Sequence, residues 1–187
     1  MLLDARCPLA REILSLLEQT HRRLVCAESC TAGLVSATLA GIPGASQWLC
    51  GSAVVYRNAT KTAWIGVSSE ILNDPARGDV CEETAMQMAE GVLSVTPEAS
   101  VAVSVTGHLG PGAPTGLDGV VVIGWAERDS LTGDLLNTHA QRVRLQEPPP
   151  IDREGISQRI ARQSEATRCV MHVIRDSLLR IVATTHN

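Results

Sequence analysis

The sequence predicts an α/β domain of three layers, in which helices cover both faces of a mixed, mostly parallel sheet and a long helix lies at the C-terminus. Three observations support this fold class. Short apolar runs alternate with amphipathic segments along the first half of the chain, which is typical of strands joined by helical crossovers. Two later apolar runs flank a polar turn and indicate an antiparallel hairpin. The last observation is a long amphipathic stretch close to the C-terminus.

Elements of the first half follow from apolar spacing and from helix-stop signals. Leu9, Ile13, Leu16 and Leu17 fall at helical spacing behind Pro8, which suits a first helical turn. The cluster GIPG at 41–44 ends the next helix. In order, we expect a helix (8–21), a strand (24–27), a helix (about 31–40), a strand (51–56), a polar turn (57–60) and an apolar segment (61–65).

The second half is expected to contain one more helical crossover, a hairpin and the long helix. Glu82 and Glu83 lie where the positive end of a helix dipole favours acids, and Pro97 follows the end of that helix. In order, we expect a helix (81–95), a strand (101–105), a Gly/Pro-rich loop (106–116), two strands (119–126 and 138–145) joined by a polar turn (128–134), a stiff EPPP spacer from Glu147 and a helix (152–182).

Length and composition suit one globular domain, so we expect residues 1–187 to form a single unit. Hydrophobic residues make up 44% and charged residues 19% of the chain, which excludes the composition of a disordered protein. With no Phe, three Trp and one Tyr, the core has to be built from aliphatic side chains. A net charge of −4 gives no general attraction to phosphate backbones, so we expect no nucleic-acid binding.

The N-terminal residues 1–8 include an acid and lack the basic and apolar regions of a signal peptide. No apolar run is long enough to span a bilayer, so we expect a cytoplasmic protein without membrane contact. Six cysteines without Cys-x-x-Cys spacing are expected to be reduced and mainly structural. No metal ion or other cofactor is expected, since His108 has no paired His, Cys or Asp at metal-ligand spacing.

The stretch AESCTAG at 27–33 concentrates polar groups where a buried strand is expected to end and a helix to begin. Ligands gather at such places in α/β sheets, because a helix N-terminus offers unpaired N–H groups and partial positive charge. The simpler alternative is that Ser29 or Thr31 only caps the helix. The Gly-x-Ser-x-Gly elbow of the α/β-hydrolases is absent.

The stretch YRNATK at 56–61 contains Lys61, which is the only lysine of the chain. A lysine can activate a serine if burial lowers its pKa from about 10.4 toward 7 or 8. The apolar residues after Lys61 are compatible with such burial. A solvated lysine at the start of a helix is the alternative interpretation.

The loop at 106–116 carries four glycines directly after a buried strand, and glycines let backbone N–H groups approach an anion closely. It lacks both the phosphate-loop ending Gly-Lys-Ser/Thr and a Gly-x-Gly-x-x-Gly pattern before a helix. Taken alone, this loop is compatible with an irregular connection.

Together and in this order, the three stretches resemble the C-terminal domain of the competence/damage-inducible protein CinA and the stand-alone bacterial nicotinamide-nucleotide amidases. That family runs Ala-Glu-Ser-Cys-Thr-Gly-Gly, then a glycine-led strand ending in Tyr-x-Asn-x-x-Lys, then a strand ending in Thr/Ser-Gly-x-x-Gly-Pro. The counterparts here are AESCTAG from Ala27, YRNATK up to Lys61 and TGHLGP from Thr106, and the resemblance covers roughly residues 8–180.

The resemblance implies an amidohydrolase that converts nicotinamide mononucleotide to nicotinic acid mononucleotide and ammonia. It implies that Ser29 is the nucleophile, that Lys61 activates it and that Tyr56 is a hydrogen-bonding partner. N–H groups at the start of the second helix are expected to stabilise the oxyanion. The family tendency and the long last helix favour a homo-oligomer. The residues expected to bind the nucleotide substrate are Glu28, Cys30, Thr31, Gly33, Asn58, Thr106, Gly107, Gly110 and Arg162.

This chain departs from the family pattern at several positions. Ala32 stands where the family usually has the first glycine of its pair, and His108 replaces a small apolar residue. The phrase TGLDGVV at 115–121 lacks the usual Lys and Pro, and its Asp118 would repel a phosphate unless Arg159 or Arg162 offsets it. Two alternatives therefore stay open, a binding or regulatory relative without turnover and an amidase for another small carboxamide.

Overall fold

The computed structural model of the protein describes residues 7–146 and 156–185, and these contain five strands and six α-helices. A short 3-10 helix, Ala45–Gln47, lies between the second helix and the second strand. In chain order the elements are α1 (Pro8–Gln19), β1 (Leu24–Glu28), α2 (Leu34–Ala40), β2 (Leu49–Val54), α3 (Asn58–Ile65), α4 (Ser69–Asn73), α5 (Glu82–Ser94), β3 (Val101–His108), β4 (Val120–Arg128), β5 (Leu135–Arg144) and α6 (Ile156–Thr185).

The sheet has the strand order β2-β1-β3-β4-β5. β1 pairs in parallel with both β2 and β3, whereas β3 with β4 and β4 with β5 are antiparallel. The register places Glu28, the last residue of β1, opposite Val54 of β2 and Val105 of β3. The α/β class, the mixed sheet and the predicted hairpin are therefore confirmed, and the carboxyl ends of the three parallel strands meet at one edge.

The strands alternate their side chains between two helical layers, as the period of a pleated strand requires. In β1, Leu24 and Cys26 pack into a core with α1, α2 and α6, and Val25 and Ala27 pack into a second core with α3, α4 and α5. Trp125 is the one large aromatic side chain within these cores and is 1% exposed. The other buried side chains of these cores are aliphatic residues, methionines and cysteines.

Two predicted boundaries around the candidate site are wrong. The second helix begins at Leu34 rather than near residue 31, because Ala32 (φ 53°) and Gly33 (φ 94°) adopt left-handed backbone conformations that a helix cannot contain. Strand β3 extends to His108, so Thr106 and Gly107 lie in the strand and not in a loop. Its ladder with β4 continues to the His108–Val120 pair, which supplies backbone partners for the extra residues.

The segment after β2 is also more ordered than the sequence predicts. β2 ends at Val54, so Tyr56 follows the strand, and the expected polar turn at 57–60 opens the helix α3. Thr60 closes the first turn of that helix, since its hydroxyl contacts the backbone N–H and C=O of Arg57. The short helix α4 was not predicted. The EPPP spacer and the expected start of the last helix at 152 lie outside the described residues.

Gly91 of α5 lets α3 approach closely, and α3 carries Lys61. A β-carbon at position 91 would overlap the carbonyl oxygen of Ile65, the last residue of α3. The backbone of α3 offers no flexible group that could move aside. Contact between these two helices therefore depends on the missing side chain.

We expect Gly91→Ala to destabilise the fold by about 1–3 kcal/mol, because overpacking forces the two helices apart. Gly41→Ala is the matched control, since a β-carbon there would meet its nearest atoms at ordinary contact distances from 3.5 Å. Urea unfolding of both variants measures the difference. Equal stability of Gly91→Ala and the wild type would contradict this account of the α3–α5 contact.

Candidate active site

The buried carboxylate of Glu28 gathers the polar groups at the end of β1. The residue is 1% exposed, and its two oxygens accept five hydrogen bonds from donors that surround it. The donors are the Thr31 hydroxyl at 2.8 Å and the N–H groups of Gly33 at 3.0 Å, Val35 at 3.1 Å and Ser36 at 3.0 Å, together with the Ser52 hydroxyl at 3.1 Å. Glu28 thus caps α2 and ties it to β2, while the helix N-terminus favours its charge.

This network changes the expected role of the N-terminus of α2. The N–H groups that could have bound an oxyanion already donate to Glu28. Those of Cys30 and Thr31, one turn earlier, donate to no protein oxygen among the described residues. Glu28 and Thr31 therefore shape the turn, and open N–H donors remain beside Ser29.

Ser29 follows Glu28 and is held at the centre of the parallel sheet edge. Its N–H donates to the carbonyl of Val105 at 3.0 Å, which extends the β1–β3 pairing by one residue. The residue is 7% exposed. Ala32 turns the chain back with φ 53°, a conformation that costs a non-glycine residue roughly 1 kcal/mol or more. A glycine would adopt it without that strain, and glycine is the residue that the family pattern has here.

Lys61 reaches Ser29 from the first turns of α3. Its Nζ donates to Ser29 Oγ at 3.3 Å and to Asn58 Oδ1 at 3.3 Å. The residue is 1% exposed, which rules out the alternative of a solvated lysine. Burial lowers the pKa of Lys61 below its ordinary value, while the negative charge of Asp79 and the neighbouring thiol of Cys30 act in the opposite direction. A neutral amine within reach of a serine hydroxyl can act as a general base.

Cys30 is the other nucleophile type in this turn, but its surroundings keep it protonated. Burial raises the pKa of its thiol to about 12, although Arg159 and Lys61 lower it. The thiolate is the reactive form of a cysteine, so a thiol of this kind is inert at neutral pH. All six cysteines carry free thiols. The geometry therefore favours Ser29 over Cys30 as the attacking group.

Tyr56 and Arg159 form a more open part of the candidate site. Tyr56 is 54% exposed, and its hydroxyl accepts a hydrogen bond of 2.6 Å from Arg159 Nη2. Arg159 Nη1 donates to the carbonyl of Gly110 at 2.9 Å. Both partners of Arg159 are neutral oxygens, so its positive charge is not balanced by a carboxylate among the described residues.

Arg162 differs from its expected role as a substrate ligand. It lies one turn after Arg159, is 5% exposed, and binds Asp118 through two nitrogens at 2.9 and 2.8 Å. This ion pair holds the pKa of Asp118 below its usual range. Gly110 has a left-handed φ of 62°, and a β-carbon there would lie 2.6 Å from Asp118 Oδ1 and 2.8 Å from Arg162 Nη1. The Arg162–Asp118 pair neutralises the acid of the altered loop and anchors that loop to α6.

Thr106 and Gly107 contribute to the site through the backbone around them. The hydroxyl of Thr106, 1% exposed, donates to the carbonyl of Asp79 at 2.7 Å. Gly107 permits the close pairing of β3 with β4, since a β-carbon there would crowd Val120 and Val121. The hydroxyl proton of Thr106 is therefore committed to Asp79. Thr106 and Gly107 both fix segments that surround Ser29.

The structure brings together most of the predicted residues and adds three that the sequence analysis did not assign. The negative charge of Asp79 acts to raise the pKa of Lys61, Arg159 donates to the Tyr56 hydroxyl, and Gln163 donates to the carbonyl of Cys30 at 3.1 Å. Arg159 had been considered as a partner of Asp118 and instead holds Tyr56. For Asp79 and Gln163 the sequence has no local signal, because long-range contacts from a loop and a helix bring them to the site.

The described residues also line a cavity of about 630 Å³ at the opposite edge of the sheet. It lies between the start of β1, the 3-10 helix region and the β4–β5 turn, with Arg23, Trp48 and Arg128 among its walls. The guanidinium of Arg128 is occupied by carbonyls at the end of α5. This cavity therefore has no connection with the Ser29–Lys61 chemistry. Among residues 7–146 and 156–185, no helix has the length and apolarity needed to span a membrane.

Sequence comparison identifies the family. The family model described as the CinA C-terminal domain matches residues 6–148. The chain belongs to the CinA C-terminal domain family. A CinA-like protein of Myxococcus xanthus (strain DK1622) is 38% identical over 146 residues, which is 73% of this chain and 33% of that protein. The chain thus spans about a third of the length of this curated relative, so nothing about the remainder of such proteins transfers to it.

Solved structures of CinA proteins share the fold. The competence damage-inducible protein A of Klebsiella pneumoniae subsp. pneumoniae MGH 78578 superposes with a TM-score of 0.77 at 22% identity, covering 91% of this chain and 95% of that one. The competence/damage inducible protein CihA of Agrobacterium tumefaciens has a TM-score of 0.69 at 29% identity, covering 94% and 92%. The CinA fold is therefore common to proteins of low sequence identity.

We expect Glu28→Gln to destabilise the protein by about 1–3 kcal/mol, because a buried amide group would face N–H donors that now bind a carboxylate. Ser52→Ala is the matched control, since it removes one of the five donors and leaves the carboxylate in place. Thermal and urea unfolding measure the two effects. A larger loss in Ser52→Ala than in Glu28→Gln would show that Glu28 does not organise the turn.

Proposed function

We propose that the protein is an amidohydrolase that deamidates nicotinamide mononucleotide to nicotinic acid mononucleotide and ammonia. The observation that carries this proposal is the 3.3 Å contact of the buried Lys61 Nζ with Ser29 Oγ. The lowered pKa of Lys61 supports it, because the amine has to be neutral to accept a proton. Membership of the CinA C-terminal domain family supports the proposal in general terms, without specifying the substrate.

In the first half-reaction, Ser29 Oγ attacks the carboxamide carbon while Lys61 accepts the hydroxyl proton. The N–H groups of Cys30 and Thr31 are suited to stabilise the oxyanion that forms. Protonated Lys61 then gives its proton to the departing nitrogen, which leaves as ammonia. The product of this half is an acyl ester on Ser29, and Lys61 is neutral again.

In the second half-reaction, water attacks the ester and Lys61 accepts its proton. The same proton returns to Ser29 Oγ when the ester bond breaks, and the acid is released. The sum is one amide and one water converted to one carboxylic acid and one ammonia. No other reactant is required, since the nucleophile and the base are both restored.

Arg159 is the best candidate for the phosphate end of the substrate. Its charge has no balancing carboxylate among the described residues, whereas Arg162 is committed to Asp118. Tyr56, which Arg159 orients, offers a half-exposed ring on which a flat pyridine could pack. We therefore transfer the phosphate-binding role from Arg162 to Arg159.

The assay measures ammonia and nicotinic acid mononucleotide after incubation of the protein with nicotinamide mononucleotide. We expect turnover that Ser29→Ala abolishes, and a large loss in Lys61→Arg, because arginine stays protonated at every accessible pH. The rate should rise with pH as Lys61 loses its proton. The midpoint should lie below the ordinary lysine value of 10.5, since burial favours the neutral amine.

Two further variants show whether a loss has a chemical cause. Cys30→Ser leaves a small polar group beside Ser29 and should retain activity, because the thiol takes no part. Lys61→Met should be inactive yet at least as stable as the wild type, since an apolar side chain of similar length removes the burial of an amine. Ligand binding without turnover would favour the regulatory alternative. Turnover of simple carboxamides but not of the nucleotide would favour the alternative of a different amidase.

We expect Arg159→Gln to reduce kcat/KM for nicotinamide mononucleotide about 10- to 100-fold, the value of a charge-assisted hydrogen bond to phosphate. For nicotinamide riboside, which has no phosphate, the loss should be much smaller. Arg168→Gln, an exposed arginine of the same helix, is the matched control. Equal losses with both substrates would mean that Arg159 acts through Tyr56 alone.

A further inference from the structure

Gln163 of α6 contacts the backbone of the turn that follows Ser29. Its Nε2 donates to the carbonyl of Cys30 at 3.1 Å, and the residue is half-buried. A carbonyl oxygen can only accept a hydrogen bond, so the NH₂ of the Gln163 amide has to face it. The last helix is thus bonded to the segment that carries the candidate nucleophile. The proposed mechanism gives this contact no role.

The residues after Ser29 form a four-residue turn. The N–H of Ala32 donates to the carbonyl of Ser29 at 3.1 Å, which places Cys30 and Thr31 at the two central positions. The carbonyl of Thr31 accepts from the N–H of Leu34 at 3.1 Å. The carbonyls before and after that of Cys30 are therefore bonded within the turn and the start of α2, whereas the partner of the Cys30 carbonyl comes from α6.

The central peptide group of this turn joins Cys30 to Thr31. It is trans, so its C=O and its N–H point in opposite directions. The position of the Cys30 carbonyl thus sets the direction of the Thr31 N–H. That N–H donates to no protein oxygen among residues 7–146 and 156–185. It is one of the two groups suited to stabilise an oxyanion beside Ser29.

Rotation of the central peptide group is a known freedom of such turns, because types I and II differ by that rotation. Complete reversal would need a left-handed φ at Thr31, which a β-branched residue avoids, and the φ of Thr31 is not positive. Smaller rotations stay open to the backbone. The hydrogen bond from Gln163 restrains them, and it polarises the peptide group so that the N–H becomes a stronger donor.

We propose that Gln163 is a positioning residue for the oxyanion site, which holds the Cys30–Thr31 peptide group so that the Thr31 N–H faces a substrate carbonyl at Ser29. The catalytic part of this proposal rests on the proposed function, in which an oxyanion forms beside Ser29 in each half-reaction. The structural part, the orientation of the peptide group, concerns the resting protein. Gln163 acts through the backbone and takes no part in proton transfer.

The orientation can be measured on one peptide group, because Cys30–Thr31 is the only Cys-Thr pair of the sequence. Protein grown with carbonyl-¹³C cysteine and ¹⁵N threonine gives a single NMR signal for a directly bonded carbonyl and amide. Gln163→Met keeps the side-chain length and removes the donor. We expect it to move the Cys30 carbonyl signal upfield, as loss of a hydrogen bond does, and to shift the Thr31 amide. Gln19→Met, the same change at an exposed position of α1, should leave both unchanged.

The kinetic test uses nicotinamide mononucleotide. We expect Gln163→Met to lower kcat about 10- to 100-fold, which is less than removal of a whole oxyanion donor costs. KM should stay near the wild-type value, because the oxyanion exists only after attack on the carboxamide. Gln163→Glu presents an acceptor to the carbonyl and should lose at least as much. Gln163→His can donate through Nε2–H and should recover much of the rate, and Gln19→Met should match the wild type.

An unchanged Cys30–Thr31 signal in Gln163→Met would overturn the proposal. A changed signal with wild-type kcat, or a rise in KM alone, would overturn the positioning role. Gln163→Glu replaces Gln163→Met in both measurements if the latter variant fails to fold.

A second substrate separates these outcomes from failure of the proposed function. Acylation of a serine by para-nitrophenyl acetate also forms an oxyanion, and release of para-nitrophenol reports it, with Ser29→Ala as the blank. If the wild type is acylated at Ser29 but does not turn over the nucleotide, the proposed function fails. Slower acylation of Gln163→Met would then support the positioning role, and an equal rate would overturn it. Absence of both reactions in the wild type would overturn the catalytic part of the proposal.

Discussion

The carboxylate of Glu28 is the constraint on which the candidate site depends. A buried charge has to be compensated, and Glu28 is compensated by two hydroxyls and three backbone N–H groups that belong to the turn, to α2 and to β2. These hydrogen bonds fix the backbone conformation of residues 29–33. Ser29 is positioned as a consequence, since it lies between this network and the β1–β3 ladder.

Lys61, unlike Glu28, is buried without groups that compensate a charge. Its amine is buried with two neutral partners at 3.3 Å, an arrangement that does not stabilise a charged lysine. The surrounding fold holds it in place through the contact of α3 with α5, which requires Gly91, and through the apolar core around Ile65. The neutral amine that the proposed mechanism requires is thus held by elements whose own stability comes from the two cores.

Much of the fold follows from local patterns, and the errors occur where long-range contacts override them. Alternating apolar residues predict β1, β3 and the β4–β5 hairpin, because side chains in each strand face defined layers. The helix α3 was missed because its first turn, RNAT, has the composition of a turn, and only Thr60 closing on Arg57 makes it helical. The extension of β3 to His108 depends on its partner β4, which follows more than ten residues later.

The sequence by itself determined the family, the α/β architecture and the three stretches that hold Ser29, Lys61 and Thr106, since each rests on residue types in short, ordered segments. Only the tertiary structure decided that Arg162 is neutralised by Asp118 and that Arg159 binds Tyr56. Arg159 and Arg162 lie three residues apart in α6, so no local sequence pattern shows which of them is free to bind a substrate. Their roles depend on the partners that tertiary packing brings to each side chain, Tyr56 for Arg159 and Asp118 for Arg162.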